Sequence, residues 1–435
     1  MLRSQTASAP PGDPARQRRE PRQSAAGASP AAPALAGAAH PTIRLKPGGE
    51  RRLLQGHPWA YSNEVQMTPE AKAVPPGSPV VLETANGMPL GVALFNPHPL
   101  VSARLLARDP ATGIDADFIA ARLSAALALR ERLVDEPYYR LVHAEADGLP
   151  GLVIDRFADL AVVQANTAGM ERLTPAVLEA LDRVLAPKSV LLRNDSAARL
   201  LEGLDQGVTV AKGKAPGRIA VVEHGTTFRA EPETGQKTGW FFDQRENRAL
   251  VAGFARGRSV LDAFAHAGGF GLQAARAGAR FVSMIDRSAA ALALAEAAAQ
   301  ELGVAERCAF HKSDVFAALE HLARQGERFD IVVADPPAYV KSKKDLQQGL
   351  KGYRKLARLA AGLVAPGGLL FIASCSHAVD APSFQHQVAR GLADAAAESG
   401  RGARILAATG AAPDHPVHPL LPESAYLKGL LLALD

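Results

Sequence analysis

The sequence predicts an α/β protein. A doubly wound, mostly parallel sheet ending in an antiparallel hairpin follows a small β-barrel and a mixed α/β segment. Three observations carry this expectation. Strand-like and helix-like runs alternate from about residue 236 onward, a rhythm that builds a parallel sheet with helices on its faces. The last two strand-like runs have no helical stretch between them, and parallel strands need a long crossover, so this pair is antiparallel. Between residues 41 and 112, short strands are punctuated by turn residues, the pattern of a small barrel.

In the first stretch, strands fit Thr42–Leu45, Pro79–Glu83, Leu90–Phe95 and Val101–Leu106, with turns at Gly48-Gly49, Pro75-Pro76-Gly77 and Asn86-Gly87. Residues 113–235 are mixed. A helix fits Asp115–Val134, two strands flank the turn Asp147-Gly148-Leu149-Pro150-Gly151, and Leu160–Asn166 reads as a strand. A helix near Thr174–Leu185 and a strand at Ser189–Arg193 follow. In residues 236–435, strands fit Ser259–Phe264, Arg280–Ile285, Cys308–Lys312, Asp330–Ala334, Gly368–Ser374, Arg404–Ala408 and Ala425–Ala433. Helices fit Phe270–Ala277, Ala289–Leu302, Val315–Arg324, Gln347–Leu363 and Pro382–Ala397. These shifts divide the chain into 1–40, 41–112, 113–235 and 236–435. A parallel sheet closed by such a hairpin resembles the Rossmann-like class I fold of S-adenosylmethionine-dependent methyltransferases.

The 435-residue chain carries a net charge of +5, a mild vote for nucleic acid. Residues 1–40 hold Arg3, Arg16, Arg18, Arg19 and Arg22 against Asp13 and Glu20, so +3 of that charge lies there. This stretch has no aromatic residue and too little apolar surface to offset its ordering entropy, and it reads as a disordered tail. An inert extension, a start site placed too far upstream, a basic arm on nucleic acid and an organelle transit peptide are the readings it admits. Cys308 and Cys375 are too few for a disulfide framework and point to a reducing cytoplasm. No run approaches the ~18 apolar residues of a membrane span, the N-terminus lacks the apolar core of a secretory signal, and nothing asks for a metal.

The strand Val260–Phe264 runs into Ala265-His266-Ala267-Gly268-Gly269-Phe270-Gly271. Glycines there let the chain turn tightly and approach a ligand closely. The motif resembles the G-x-G-x-x-G loop without matching it. A plain tight turn explains Gly271 better than it explains Gly268 and Gly269. Phe264, Gly268 and Gly269 are candidate cofactor contacts, with Asp262 near the cofactor's charged end. Asp286 ends the next strand, 24 residues after Asp262, where a carboxylate can accept from both ribose hydroxyls. Asp314 can reach an adenine amino group, cap a helix, or do both. Upstream, the polar and aromatic run Lys237–Arg248 reads either as an exposed helix start capped by Asp243 or as a site segment with Arg245 near the cofactor carboxylate.

The fourth strand of this block ends in Asp335-Pro336-Pro337-Ala338-Tyr339. Prolines stiffen the loop and fix the Asp335 carboxylate and the neighbouring carbonyls, acceptors suited to the amino group of a flat base on which Tyr339 can stack. The fifth strand ends in Ser374-Cys375-Ser376-His377, which sets Cys375 across the same crevice. A buried core thiol is the bland alternative. The chemical reason for a nucleophile is that carbon 5 of a pyrimidine attacks a sulfonium methyl only after a thiolate has added at carbon 6. Asp335 can hold and protonate cytosine N3, which favours that addition. Asp335–Arg358 contains seven basic and two acidic residues. Lys341, Lys343 and Lys344 in the loop are phosphate-contact candidates, whereas Lys351, Arg354, Lys355 and Arg358 fit a solvated helix face equally.

In these motifs the sequence is similar to the RlmI-type bacterial 23S ribosomal RNA cytosine-C5 methyltransferases, over about residues 41–435. The resemblance rests on Gly56-His57-Pro58-Trp59-Ala60-Tyr61, Asp147–Leu152, Thr238-Gly239, Asp243–Arg248, the glycine loop, Asp335-Pro336-Pro337, Gly352-Tyr353, Ser374-Cys375-Ser376, His415-Pro416 and Tyr426-Leu427-Lys428-Gly429. It implies a PUA-like RNA-binding domain at 41–112, a central α/β domain at 113–235 and a class I methyltransferase domain at 236–435. It implies S-adenosyl-L-methionine as cofactor, ribosomal RNA as partner and Cys375 as nucleophile, and it admits a homodimer. Related enzymes with a second cysteine after Asp-Pro-Pro use it for product release; Ala338 stands there, so the base for carbon 5 is unassigned. Guanine-N7 relatives lack the Cys375 counterpart. Methylation of another RNA base, a nicotinamide-dependent oxidoreductase on the same sheet and a non-catalytic RNA-binding factor are the competing readings. Trp59 and Tyr61 either stack on bases or fill the barrel.

Overall fold

The computed structural model describes residues 40–235, 238–340 and 342–435. The expectations placed on residues 1–39, Lys237 and Lys341 fall outside the described residues. Near the front, β1 (Thr42–Arg44), α1 (Arg51–Leu54), β2 (Trp59–Tyr61), α2 (Pro69–Ala73), β3 (Ser78–Glu83), β4 (Pro89–Phe95) and β5 (Val101–Ala107) form a five-stranded sheet in the order β1-β3-β4-β5-β2. It curves around Ile43, Leu53, Val80, Leu82 and Phe95, and Leu45 bridges back to Val65. The three-residue strand β2 was not expected, because so short a run shows no alternation to read.

The middle segment comprises α3 (Ala116–Leu133), β6 (Tyr138–His143), β7 (Leu152–Phe157), β8 (Leu160–Ala165), α4 (Ala168–Val184), β9 (Ser189–Asn194), α5 (Ala198–Leu201) and β10 (Gly207–Lys212). Its sheet runs β10-β9-β8-β7-β6, antiparallel except for β8 beside β9. Helix α4 begins well before the expected Thr174. Thr167 caps the helix by accepting from the Met170 amide at 3.3 Å, and Pro175 lies within it. Strands β11 (Ile219–Glu223) and β12 (Thr226–Ala230) add an unexpected hairpin. Its two turn residues, His224 and Gly225, both have positive φ (47° and 67°), the tight-hairpin geometry that Asn-Gly usually announces.

The last segment contains α6 (Arg245–Ala252), β13 (Ser259–Ala263), α7 (Gly269–Arg276), β14 (Phe281–Asp286), α8 (Ala289–Glu301), β15 (Cys308–Lys312), α9 (Val315–Arg324), β16 (Phe329–Ala334), α10 (Leu346–Gly362), β17 (Val364–Ser374), α11 (Ala381–Ser399), β18 (Ala403–Thr409) and β19 (Lys428–Leu434). Its seven strands lie in the order β15-β14-β13-β16-β17-β19-β18, and β19 is antiparallel to both neighbours. The final strand inserts beside β17 and leaves β18 at the edge. Lys428–Leu434 is a nearly continuous apolar run, which suits a strand covered on both faces, whereas β18 leaves Ile405 and Leu406 exposed. One sheet face buries Leu272, Leu294 and Phe371; the other buries Leu319, Leu356, Ile372 and Val388. Strand order reverses between β13 and β16, so the crevice for a ligand opens at their carboxyl ends.

Candidate active site at the carboxyl ends of the parallel strands

Beyond β13 the chain enters sterically unfavourable backbone. Phe264 (φ 68°) and His266 (φ 49°) are left-handed without being glycine, a strain that accumulates at functional sites. Gly268 (φ 78°) precedes α7, and a Cβ there would sit 2.9 Å from Ala295, so both conformation and packing demand glycine. A Cβ on Gly269 would meet Arg248 at 3.0 Å, and one on Gly271 would meet Met284 at 2.7 Å. The Gly271 amide donates to Asp262 Oδ2 at 2.8 Å. Asp262 is 1% exposed, and burial pushes its carboxyl up to about 7. It holds the loop from below.

Asp286 ends β14 and ties two turns together: Oδ2 accepts from the His266 amide at 2.9 Å and Oδ1 from the Ser288 amide at 2.8 Å. A carboxylate has about four acceptor positions, so two remain for the hydroxyls of a nucleoside. Asp314 caps α9 through Oδ1 on the Ala317 amide at 3.0 Å and is exposed. Both anticipated roles for Asp314 are thus sterically compatible. The strained turn, the close-packed glycines and the carboxylates of half-buried Asp286 and exposed Asp314 suit a nucleoside-bearing cofactor such as S-adenosylmethionine.

The Asp335 loop and the end of β17 face each other. Cys375 Sγ lies 3.9 Å from the Pro336 carbonyl oxygen and is half-buried. Asp335 is also half-buried, Pro336 buried and Pro337 exposed. A hydroxyl cluster fastens the loops: Tyr353 Oη lies 2.8 Å from both Ser374 Oγ and Ser376 Oγ, and the Val340 amide donates to Ser376 Oγ at 3.2 Å. Gly349 and Gly352 on α10 leave space for Val340 and the Tyr339 ring. Tyr339 is half-buried among aromatic side chains. Its ring packs at 4.8 Å from Tyr353 and 6.2 Å from Phe316, and its hydroxyl is buried. Cys308 is remote at the start of β15, and burial pushes its thiol up to about 11, as befits an inert cysteine.

The basic run splits. Arg354 forms two 2.6 Å bonds to Asp394, and Lys355 pairs with Glu320 at 2.9 Å. Lys344 and Lys351 are exposed. The side chains of Lys341 and Lys343 lie outside the described residues.

The segment before α6 is not an exposed helix start. Asp243, Gln244, Arg245, Asn247 and Arg248 are all buried, and Asp243 receives the Tyr426 hydroxyl instead of capping a helix. Arg245 is buried in contacts within the protein: its guanidinium bonds the Tyr138 carbonyl and lies 3.9 Å from both Glu136 and Glu223. Arg248 pairs with the fully buried Glu223, which also accepts from Trp240 Nε1 at 2.8 Å. Arg140 grips Asp155 through two bonds of 2.7 and 2.9 Å, Thr238 donates to the same carboxylate, and Asp414 accepts from the Arg140 amide at 2.9 Å. Burial and Arg140 hold His143 far below the usual imidazole value, hence neutral. These positions clamp the middle sheet to the catalytic sheet. Trp59 likewise donates to Glu145 at 2.9 Å, and Tyr61 lies under Arg52.

Sequence reasoning gave no role to Tyr426 and Lys428, although it noted their motif. Tyr426 is half-buried and stacks on His377 at 4.8 Å, and Lys428 is buried beside Cys375. No group of three or more metal-ligating side chains occurs among the described residues, and no helix among them is long and apolar enough to cross a membrane.

This fold and crevice define the S-adenosylmethionine-dependent methyltransferases. That family matches residues 173–398, and the PUA-like domain family matches residues 43–108. Ribosomal RNA large subunit methyltransferase I of Shewanella denitrificans is 36% identical over 394 residues, covering 89% of this chain and 98% of that protein. Its namesake in Aeromonas hydrophila is 36% identical over 397 residues, covering 90% and 98%. The chain belongs to the ribosomal RNA large subunit methyltransferase I family. A solved protein described as a methyltransferase, in complex with SAH, shares the fold with a TM-score of 0.77 at 19% identity, covering 90% of this chain and all of that one.

Proposed function

We propose that this chain methylates carbon 5 of a cytosine in 23S ribosomal RNA, with Cys375 as nucleophile and Asp335 at cytosine N3. The observation that carries this reading is the Cys375 thiol 3.9 Å from the Pro336 carbonyl, facing the Asp335-Pro336-Pro337 loop across the ligand crevice. When bound, S-adenosylmethionine supplies an electrophilic methyl group. Asp262, Phe264, Gly268, Gly269, Asp286 and Asp314 would hold it, whereas Arg245 steadies the segment behind the loop. Cys375 thiolate adds to carbon 6, and the electron pair moved to carbon 5 would take the methyl group, whose bond to the sulfonium sulfur breaks with its electron pair left on sulfur. A base then takes the carbon 5 proton, the carbon 6–sulfur bond breaks and the thiolate returns. Residues 41–112 serve to bind RNA, and Lys341, Lys343 and Lys344 to contact its phosphates. Ribosomal RNA as substrate implies action in the cytoplasm.

The test is transfer of labelled methyl to ribosomal RNA, with the modified nucleotide mapped. Wild type labels one cytosine, and Cys375→Ala abolishes transfer. RNA carrying 5-fluorocytosine, whose fluorine cannot leave as a proton does, traps wild type covalently and leaves Cys375→Ala free. Full transfer by Cys375→Ala would establish chemistry at another position, such as guanine N7.

A further inference from the structure

Lys428 opens β19 directly opposite Ser374, the residue before Cys375. It is 8% exposed, and an ammonium removed from water needs both acceptors and a compensating charge. Two of its three N–H groups are taken by the carbonyl oxygens of Ser376 and Tyr426, each at 2.7 Å. These acceptors are neutral, so they direct the ammonium without cancelling its charge. Ser376 follows Cys375, so the bond that anchors the ammonium also anchors the turn carrying the thiol. Lys428 is in electrostatic contact with Cys375 and with Asp380. Asp380 is exposed and caps α11, accepting from the Ser383 amide at 2.7 Å.

We infer that Lys428 is the counter-ion of the Cys375 thiolate, a positioning residue that keeps the nucleophile ionised and aimed. The purpose of this role rests on the cysteine-adduct reading above; its test does not. The Pro336 carbonyl from the loop after β16 lies against the thiol, and Tyr353 from α10 and Tyr426 from the loop before β19 are within its electrostatic reach. Lys428 brings a positive charge to this cluster, and a nearby cation favours the thiolate. Burial pulls Lys428 down to about 8, which still leaves it charged at pH 7. The same arrangement limits the effect at higher pH, where the lysine itself discharges.

The experiment follows alkylation of Cys375 by iodoacetamide against pH in the full-length protein. Peptide mass spectrometry separates Cys375 from Cys308. In wild type the midpoint is expected below the ordinary thiol value of about 8.5. In Lys428→Met it moves up by about one unit, making alkylation at pH 7 about tenfold slower. Lys428→Arg restores the wild-type midpoint. Identical midpoints in wild type and a folded Lys428→Met overturn the inference. A wild-type midpoint at or above 8.5 does so without any variant, which covers a Lys428→Met protein that fails to fold by circular dichroism. A normal alkylation shift without methyl transfer to RNA would instead refute the proposed reaction and leave the ion pairing standing.

Discussion

Replacing Glu223 by Gln tests whether the buried pair behind the glycine loop supports both stability and cofactor binding. Glu223 is fully buried, and its carboxylate is the acceptor for Arg248 Nε and Nη2 at 2.9 Å and for Trp240 Nε1 at 2.8 Å. Glutamine keeps the shape and one acceptor oxygen, but it removes the charge and turns an amide N–H₂ toward the guanidinium. Breaking one side of a buried pair costs roughly 3–5 kcal/mol because the remaining charge is uncompensated. The retained acceptor places the expected loss near the lower end, about 3 kcal/mol. Arg248 also lies under the loop, since a Cβ on Gly269 would touch its Cδ at 3.0 Å. Freeing Arg248 therefore loosens the loop, and S-adenosylmethionine affinity is expected to fall about tenfold. Urea unfolding followed by Trp240 fluorescence in a Trp59→Phe background gives the stability change, and titration calorimetry gives the affinity. A loss below about 1 kcal/mol refutes the reasoning. So does a Glu223→Leu, Arg248→Met double variant as unstable as Glu223→Gln, because replacing the whole pair by apolar groups removes both the charge and its desolvation cost.

Asp262 is held protonated in the folded state up to about pH 7 but ionises near 3.9 when unfolded. The folded state therefore binds the extra proton, and stability falls as pH rises between those values, by on the order of 3 kcal/mol from this group. Asp262→Asn should lack that decline, so its advantage over wild type grows between pH 4 and 8; parallel stability–pH curves would sink the idea. Gly271→Ala would put a methyl 2.7 Å from Met284 and 3.1 Å from Asp262 Oδ2. Calorimetry should show S-adenosylmethionine binding weakened about tenfold with circular dichroism unchanged, and an unaltered affinity would contradict the close-packing argument. Lys344→Ala with Lys351→Ala should weaken RNA binding most at low salt and reduce the salt slope by about 0.7 per phosphate contact on single strands. A loss independent of salt would show that neither lysine meets a phosphate.

Local sequence carried much of the catalytic layer. Cys308–Lys312 and Val315–Arg324 were read to the residue, because a strand between turn signals and an Asp-capped amphipathic helix both announce themselves over a few positions. That the glycine loop, Asp286, Asp335 and Cys375 lie at strand ends was legible for a related reason: strand ends are marked by composition. The β11–β12 hairpin was missed because His224-Gly225 is an unusual turn pair, and β2 because three residues show no period.

From Ser259 onward the sequence alone determined the order of strands and helices and the crevice they open, since each depends on neighbours within a few positions. Only the tertiary structure decided which polar residues face that crevice. Thr238, Asp243, Arg245, Arg248 and His415 sit in motifs as dense as any catalytic one, yet they are buried in bonds to β6, β7, β11 and the loop after β18. Lys428 comes from the far end of the chain to lie beside Cys375. A buried charge is tolerated only where its partners are assembled, and those partners come from segments separated by tens to hundreds of residues, beyond the reach of periodicity or spacing.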